Sequence, residues 1–469
     1  MKDPVYKLLK TLNNYYIYDR SRNAIIRLSK DEYEEIEASK KESLKNTKIY
    51  LKLRSKGYLK DNILEQIEHH CTNFIGYILE NHIEQLILQV TQRCNLRCKY
   101  CIYSGAYDDR NRTHGNYDMS LDTALNAIDF YLERANESDK YTISFYGGEP
   151  LLNFNLIKQC VSYVNGKAKN KPIMYTMTTN GTLLTEEIMG FLAENKFSIL
   201  ISMDGSKEEH DVNRVFANGE GSYQKIISNV RMIREKYPKV FKDIRFNTVL
   251  NPNQNFPKLK TYFEEDDLLG DSMVMMQIVE SETSQKVIFS DEFYRARAFD
   301  RFKLYLFMLD KLEREHVSKL VLSDYLYIKN KYIMLSADQE LRPKCHHGGP
   351  CLPGAKRLFV NVDGNFYPCE KVGENSEAMV IGNLREGFDY NKVNRLLNIG
   401  KLTSEECKKC WALHYCDICC RRANGKSDLS RENKLSYCKR SQEGAYFDLA
   451  EICVLKELGC SFDKERIVL

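Results

Sequence analysis

Eight cysteines in the last third of this chain have a spacing that could do chemistry. They read Cys345-x5-Cys351-x17-Cys369, then Cys407-x2-Cys410-x5-Cys416-x3-Cys420-x17-Cys438. Eight thiolates make two sets of four, enough to ligate two iron–sulfur clusters completely. A triplet, Cys94-x3-Cys98-x2-Cys101, lies far upstream. Three thiolates can hold a cubane by three corners and leave its fourth iron open, which is where a substrate can be activated. Zinc is the alternative for both groups, but it usually takes four ligands and favours CxxC pairs. Cys71, Cys160, Cys453 and Cys460 match no motif and read as small buried apolar residues.

The rest of the composition bounds these readings. The chain has 469 residues, 43% hydrophobic and 29% charged, which predicts a globular protein of two or three domains. A net charge of +4 argues for neither a nucleic-acid partner nor an acidic membrane surface. The 30 tyrosines are scattered, without the basic–aromatic interleaving that stacks bases. Met1 to Lys10 is charged and lacks an apolar h-region, and no run approaches the roughly 18 apolar residues of a membrane helix. The expected location is the cytoplasm, where clustered cysteines hold metal or do redox chemistry rather than form disulfides.

Three regions must position the cysteines. In residues 1–82, Asn14–Tyr18 and Ala24–Leu28 flank the polar turn Asp19–Asn23, a β-hairpin pattern. Ser29-Lys30-Asp31-Glu32 is a capping box that opens a helix. A second helix around Ile49, Leu51 and Leu53 stops at Gly57, and Tyr58-Leu59 reads as a further strand, giving a winged-helix-like module. Residues 83–316 alternate strand and helix, with strands expected at Gln85–Thr91, Thr142–Tyr146, Met174–Thr179, Ser198–Ser202, Arg245–Leu250 and Met273–Val279. Between them, Leu121, Ala124, Leu125, Ile128 and Leu132 share one helix face, and Tyr223, Ile226, Ile227, Val230 and Ile233 another. Repeated βα units predict a parallel sheet, and six of them an α/β partial (β/α)6 barrel whose site lies at the C-terminal strand ends. Residues 317–469 are loop-rich, with short strands at Leu358–Val362 and Asn365–Tyr367, and their fold is expected to depend on metal.

Cys94-Asn95-Leu96-Arg97-Cys98-Lys99-Tyr100-Cys101 is the CxxxCxΦC signature of radical SAM enzymes, which residues 83–445 resemble. The resemblance implies that the triplet binds a [4Fe–4S] cluster whose open iron takes S-adenosylmethionine. Reductive cleavage of that cofactor then yields a 5′-deoxyadenosyl radical. Gly147-Gly148-Glu149-Pro150 matches the family's GGEP element, whose glycines would let backbone approach the methionine amino group while Glu149 accepts from it. Thr179-Asn180-Gly181 is similar to its TNG, which places Asn180 near the ribose. Ser202-Met203-Asp204-Gly205, followed by His210, Asp211 and Arg214, looks like SxDG…HDxxR. This makes Ser202 and Arg214 candidates for the cofactor's polar groups, although Arg214 has an alternative as a salt-bridge partner. Tyr100 would pack near the adenine, or simply fill core.

The downstream cysteines resemble a SPASM domain, with Gly364 at the glycine of that pattern. The resemblance implies three [4Fe–4S] clusters in all: Cys345, Cys351, Cys369 and Cys420 on an inner auxiliary cluster, Cys407, Cys410, Cys416 and Cys438 on an outer one. Cys419 is surplus, an alternative ligand or a spectator. Glu370 follows Cys369 where sulfatase maturases of this family carry an Asp base, and the alternative is a surface carboxylate. His346 and His347 read as hydrogen-bond partners of ligands. The N-terminal module resembles the recognition element of enzymes that modify ribosomally made peptides, in which a leader peptide pairs with a strand edge. The implied activity is a peptide maturase joining a cysteine sulfur to a carbon, served by a flavodoxin- or ferredoxin-like electron donor. Carbon–carbon linkage, epimerisation, sulfatase maturation and a non-enzymatic electron carrier or iron-sensing regulator are the alternatives.

Overall fold

A computed structural model describes residues 3–39, 44–105, 109–168, 170–251, 254–270, 272–279, 288–335 and 340–463. Its N-terminal part is a three-stranded antiparallel sheet, β1 (Tyr6–Lys10), β2 (Tyr15–Asp19) and β3 (Ala24–Leu28), in that order. The hairpin is where the sequence puts it, and β1 is an addition. Ser29 caps helix α1 (Lys30–Ala38) with the reciprocal Glu32 contact of a capping box, and Thr47 caps α2 (Lys48–Ser55). The strand expected at Tyr58-Leu59 is absent, because Leu59 turns the chain with φ of +50°, outside strand geometry. The chain instead reaches a short strand, β4 (Gln66–Ile67). One face of the small sheet packs Ile17 and Leu28 on α1 and α2. The other sets Leu9, Tyr16 and Tyr18 against Ala445, Leu449 and Cys453 of the long helix Cys438–Glu457.

The central part is the expected partial barrel. Strands β5 (Leu86–Thr91), β6 (Tyr141–Gly147), β7 (Ile173–Thr179), β8 (Ser198–Ser202), β9 (Arg245–Leu250) and β10 (Met273–Ile278) pair in parallel, each with the next. The crossover helices include Leu121–Arg134, Glu186–Glu194 and Tyr223–Lys236, and Ser120 and Thr185 cap the first two. The helix Leu121–Arg134 buries Ala124, Ala127, Ile128 and Tyr131. Its inward stripe is thus rotated from the expected one: Leu121 is exposed, and Tyr131 instead uses its hydroxyl to accept from Thr142 N–H at the start of β6.

The sheet does not end with the barrel. After β11 (Lys344–Cys345), strand β12 (Leu358–Val360) joins the free edge of β5 in parallel. Strands β13 (Asn365–Tyr367), β14 (Gly382–Asn383) and β15 (Gly387–Phe388) continue it antiparallel to ten strands. Leu358, Phe359, Phe366 and Val372 therefore belong to the same apolar core as Ile87, Phe145 and Ile201. A second link, β4 with β11, ties the N-terminal part to the cysteine-rich part. Among the described residues no helix is long and apolar enough to cross a membrane.

Candidate active site and cluster pockets

The triplet loop leaves the C-terminal end of β5 and is clamped by main-chain bonds, Arg97 N to Val215 O at 2.7 Å and Lys99 N to Asn213 O at 3.0 Å. Cys94, Cys98 and Cys101 come close enough for the thiols to raise one another's pKa. Burial, the larger cause, pushes Cys94 up to about 12 and Cys98 to about 11. Three buried thiols that cannot ionise alone are a donor set that a cationic centre would turn into thiolates.

Gly147 and Gly148 have a packing task that the motif does not state. Gly147 has φ of +149°, and a Cβ there would sit 2.1 Å from Thr91 O; at Gly148 it would sit 2.2 Å from Arg93 O. The glycines let the end of β6 lie on the backbone that launches the triplet loop, fixed by Gly148 N to Thr91 O (3.0 Å) and Glu149 N to Arg93 O (2.8 Å). Glu149 is fully buried. Its Oε1 accepts from Thr179 Oγ1 (2.7 Å) and Leu151 N (3.2 Å), its Oε2 from Asn180 N (2.7 Å). Burial nevertheless pushes its carboxyl up to about 7. Oε2 keeps spare acceptor capacity, and a buried carboxylate without a cation suits an incoming ammonium group. The Asn180 side chain is spent locally, donating to Asn95 Oδ1 at 2.8 Å and accepting from Thr182 N–H and Oγ1–H.

Asp204 organises the end of β8. It is inaccessible to solvent, accepts from Arg214 Nε (2.9 Å), the Tyr100 hydroxyl and Val249 N (3.0 Å), and its own N–H donates to His210 Nδ1. The Arg214 guanidinium lies over the Tyr100 ring at 5.3 Å. Arg214 thus takes its salt-bridge alternative, and the Tyr100 hydroxyl points to Asp204. Ser202 is buried beside them at the strand end. The motif spacing contained Asp204 and His210, but nothing in it gave them this role.

Sequence reasoning also missed the residues between the triplet and the downstream cysteines. Arg112, from the triplet loop, pairs with Glu374 at 2.9 Å, stacks on Tyr103 at 3.8 Å, and is almost wholly buried. Gln89 of β5 donates to both Glu374 oxygens at 2.7 Å. Tyr146, at the end of β6, is held above its ordinary value by burial, then by the nearby charges of Glu370 and Cys101.

The downstream cysteines form two pockets. Cys351, Cys369, Cys419 and Cys420 line a cavity of about 800 Å³ that also receives Arg357 and Lys331. Glu370 accepts from Arg357 at 2.7 Å through Oε1, while its buried Oε2 has no partner. Cys407, Cys410, Cys416 and Cys438 line a second cavity of about 170 Å³. Seven of the eight expected ligands thus fall into the expected groups. Cys345 does not: it is absent from the described lining of either cavity and packs near Leu64, Ile67 and Leu341. The pairing of β11 with β4 holds it there. Cys419 stands in the inner cavity instead, where contact with the Cys420 thiol lowers its pKa despite burial.

The radical SAM superfamily model matches residues 88–264, the stretch that contains the triplet, Glu149, Asn180 and Asp204. An uncharacterised protein of Methanocaldococcus jannaschii, MJ0907, is 30% identical over 337 residues, 71% of this chain and 96% of that protein. The chain belongs to the radical SAM superfamily. A radical SAM enzyme requires a [4Fe–4S] cluster and S-adenosylmethionine, and the triplet and Glu149 have donor chemistry that suits them. The cysteine-type anaerobic sulfatase-maturating enzyme of Clostridium perfringens is 29% identical over 379 residues, covering 78% of this radical SAM enzyme and 95% of the relative. A structure named for the native anSMEcpe with bound AdoMet and the Kp18Cys peptide has the same fold, with a TM-score of 0.56 at 22% identity. It covers 80% of this chain and 98% of the other.

Proposed function

We propose that this radical SAM enzyme is a peptide maturase that joins a cysteine sulfur to a carbon of a ribosomally made peptide. The observation that carries the reading is the buried Glu370 Oε2 without a hydrogen-bond partner, on a carboxylate whose other oxygen is held by Arg357 of the wide cavity that Cys369 lines. A carboxylate so held can take the proton of a substrate thiol. The edge of β3 supports the peptide part, since β3 pairs only with β2 among the described strands and can receive a leader as a further strand. The site residues keep the roles their chemistry suits. Cys94, Cys98 and Cys101 would hold the open cluster, and Glu149 the methionine ammonium. Asn180 and Ser202 would border the ribose. Cys351, Cys369 and Cys420 with Cys419 would hold the inner auxiliary cluster, and Cys407, Cys410, Cys416 and Cys438 the outer. Bound cofactor would supply a 5′-deoxyadenosyl radical that removes a hydrogen atom from the acceptor carbon; as the carbon–sulfur bond forms, the thiol proton would go to Glu370 and the one remaining electron to an auxiliary cluster. A flavodoxin- or ferredoxin-like protein would supply electrons in the cytoplasm.

A sulfatase-maturase reading is favoured by the identity to the Clostridium perfringens enzyme. Anaerobic co-expression with a short cysteine-containing precursor peptide separates the readings by mass spectrometry. Loss of two hydrogens per cross-linked cysteine, abolished by Cys94→Ala, is expected. An unchanged mass with inverted residues means epimerisation, and retention of free thiols at the two-hydrogen loss means carbon–carbon linkage. Conversion of a sulfatase-derived cysteine peptide, with the precursor untouched, would replace the proposal by the sulfatase reading.

A further inference from the structure

The small cavity of Cys407, Cys410, Cys416 and Cys438 is ringed by donors that have no other evident purpose. Lys434 is wholly inaccessible to solvent, yet has no carboxylate partner among the described residues. Its Nζ donates to Thr403 Oγ1 at 2.6 Å and faces Cys407 Sγ at 3.6 Å. With its oxygen accepting from Lys434, the Thr403 hydroxyl is left to donate to Cys407 Sγ at 3.2 Å. Gln442 Nε2 reaches Cys410 Sγ at 3.5 Å. On the opposite wall stands His347, 1% exposed. Its Nδ1 accepts from Gly349 N, so the proton sits on Nε2, and Nε2 has no partner. A buried N–H without an acceptor costs stability unless something at the site accepts from it. The rest of the described lining is the four thiols, the apolar Ala412, Leu413, Ile418 and Leu435, Ser441, and Glu406, whose carboxylate is paired with Arg431.

We propose that Lys434 and His347 both donate hydrogen bonds to the sulfur atoms of the outer auxiliary cluster and thereby raise its reduction potential. Donors to cluster sulfur stabilise the reduced, more negative state and so raise the potential. The inner cavity is furnished differently: main-chain N–H groups of Lys371 meet Cys369 and those of Arg421 and Arg422 meet Cys419, the cationic Arg357 and Lys331 line it, and a carboxylate, Glu370, adjoins Cys369. Lys434 and His347 are positioning residues here, acting on the cluster rather than on the peptide. The inference rests on the cluster set proposed above and not on the thioether product.

The test is an anaerobic redox titration of the full, iron-loaded chain followed by electron paramagnetic resonance, with iron and sulfide counted in every sample. A Cys416→Ala variant identifies the outer signal by its loss. At the wild-type midpoint, Lys434→Met should lower the ratio of reduced to oxidised outer cluster at least tenfold, which is about 59 mV for a one-electron couple. His347→Phe should lower it less, Lys434→Arg should restore it, and the inner signal should not move. An unchanged outer midpoint with full iron content overturns the proposal, and so does a chain with no outer cluster. If Lys434→Met loses iron, His347→Phe decides alone: a fall supports the proposal and no shift overturns it. Because the readout is a potential, failure of the thioether product leaves it intact.

Discussion

The two auxiliary pockets are built from the same ligand and from opposite surroundings. The inner one is wide, about 800 Å³, lined by cationic side chains, and adjoins a carboxylate with a free oxygen. The outer one is small, about 170 Å³, and has side-chain donors aimed at the sulfurs of Cys407 and Cys410. Under the proposed function, the site that admits a peptide keeps room, and the site that holds an electron keeps donors to sulfur. The contrast follows from position. Cys351 precedes β12 and Cys369 follows β13, in a hairpin whose β12 lies against the barrel strand that launches the triplet, whereas the outer cysteines sit between the N-terminal sheet and the last helix.

The largest effect should come from deleting outer ligands. Cys410→Ala with Cys416→Ala should remove a whole cluster by iron count, abolish product, and lower the melting temperature more than any inner-ligand variant, since the segment between Cys407 and Cys438 has little core of its own. Glu370→Gln should sharpen the contrast from the other side. Product formation should fall by about 10²–10⁴-fold while the outer cluster's midpoint stays put, as read by mass spectrometry and redox titration. Arg112→Leu should cost about 3–5 kcal/mol in denaturant unfolding, because it strands the buried Glu374 that joins the triplet loop to the inner side. Adding Glu374→Gln should recover part of that loss.

Glu149 gives a pH-dependent effect of roughly 3 kcal/mol, set by its rise from 4.5 to about 7. Between those values the folded chain binds a proton that the unfolded chain does not, so stability of the cofactor-free enzyme should fall as pH rises through this window. Glu149→Gln should flatten that fall in a melting-temperature series and weaken S-adenosylmethionine binding. The smallest expected effect concerns Cys345. If the pairing of β4 with β11 persists on cluster loading, Cys345→Ala keeps full inner-cluster iron and Cys419→Ala does not. The reverse result would return the inner site to the ligand set implied by the family resemblance.

Much of the barrel was legible because its strands are short apolar runs bounded by breakers, and their ends carry the motifs: all six expected strands lie within two residues of those observed. Less legible was what each motif residue touches. Gly147 and Gly148 accommodate backbone from β5, and Arg214 is engaged by Asp204, because strand ends brought side by side make contacts that no local pattern encodes. Tyr58-Leu59 failed as a strand since the alternation of apolar residues cannot report a left-handed turn. Tyr146, Arg112 and Glu374 bear no motif at all, and only their common burial marks them.

By itself the sequence determined the chemistry: a cysteine triplet three residues past a strand, a carboxylate at the next strand's end, and downstream thiols in numbers that call for clusters. Those are local features, set by spacing along one loop. Tertiary structure decided which thiols share a cavity, which carboxylates meet a cation and which donors face sulfur. These depend on pairings between segments remote in the chain, such as Gln66–Ile67 with Lys344–Cys345, and on burial, which shifts the acidity of a group without changing its place in the sequence.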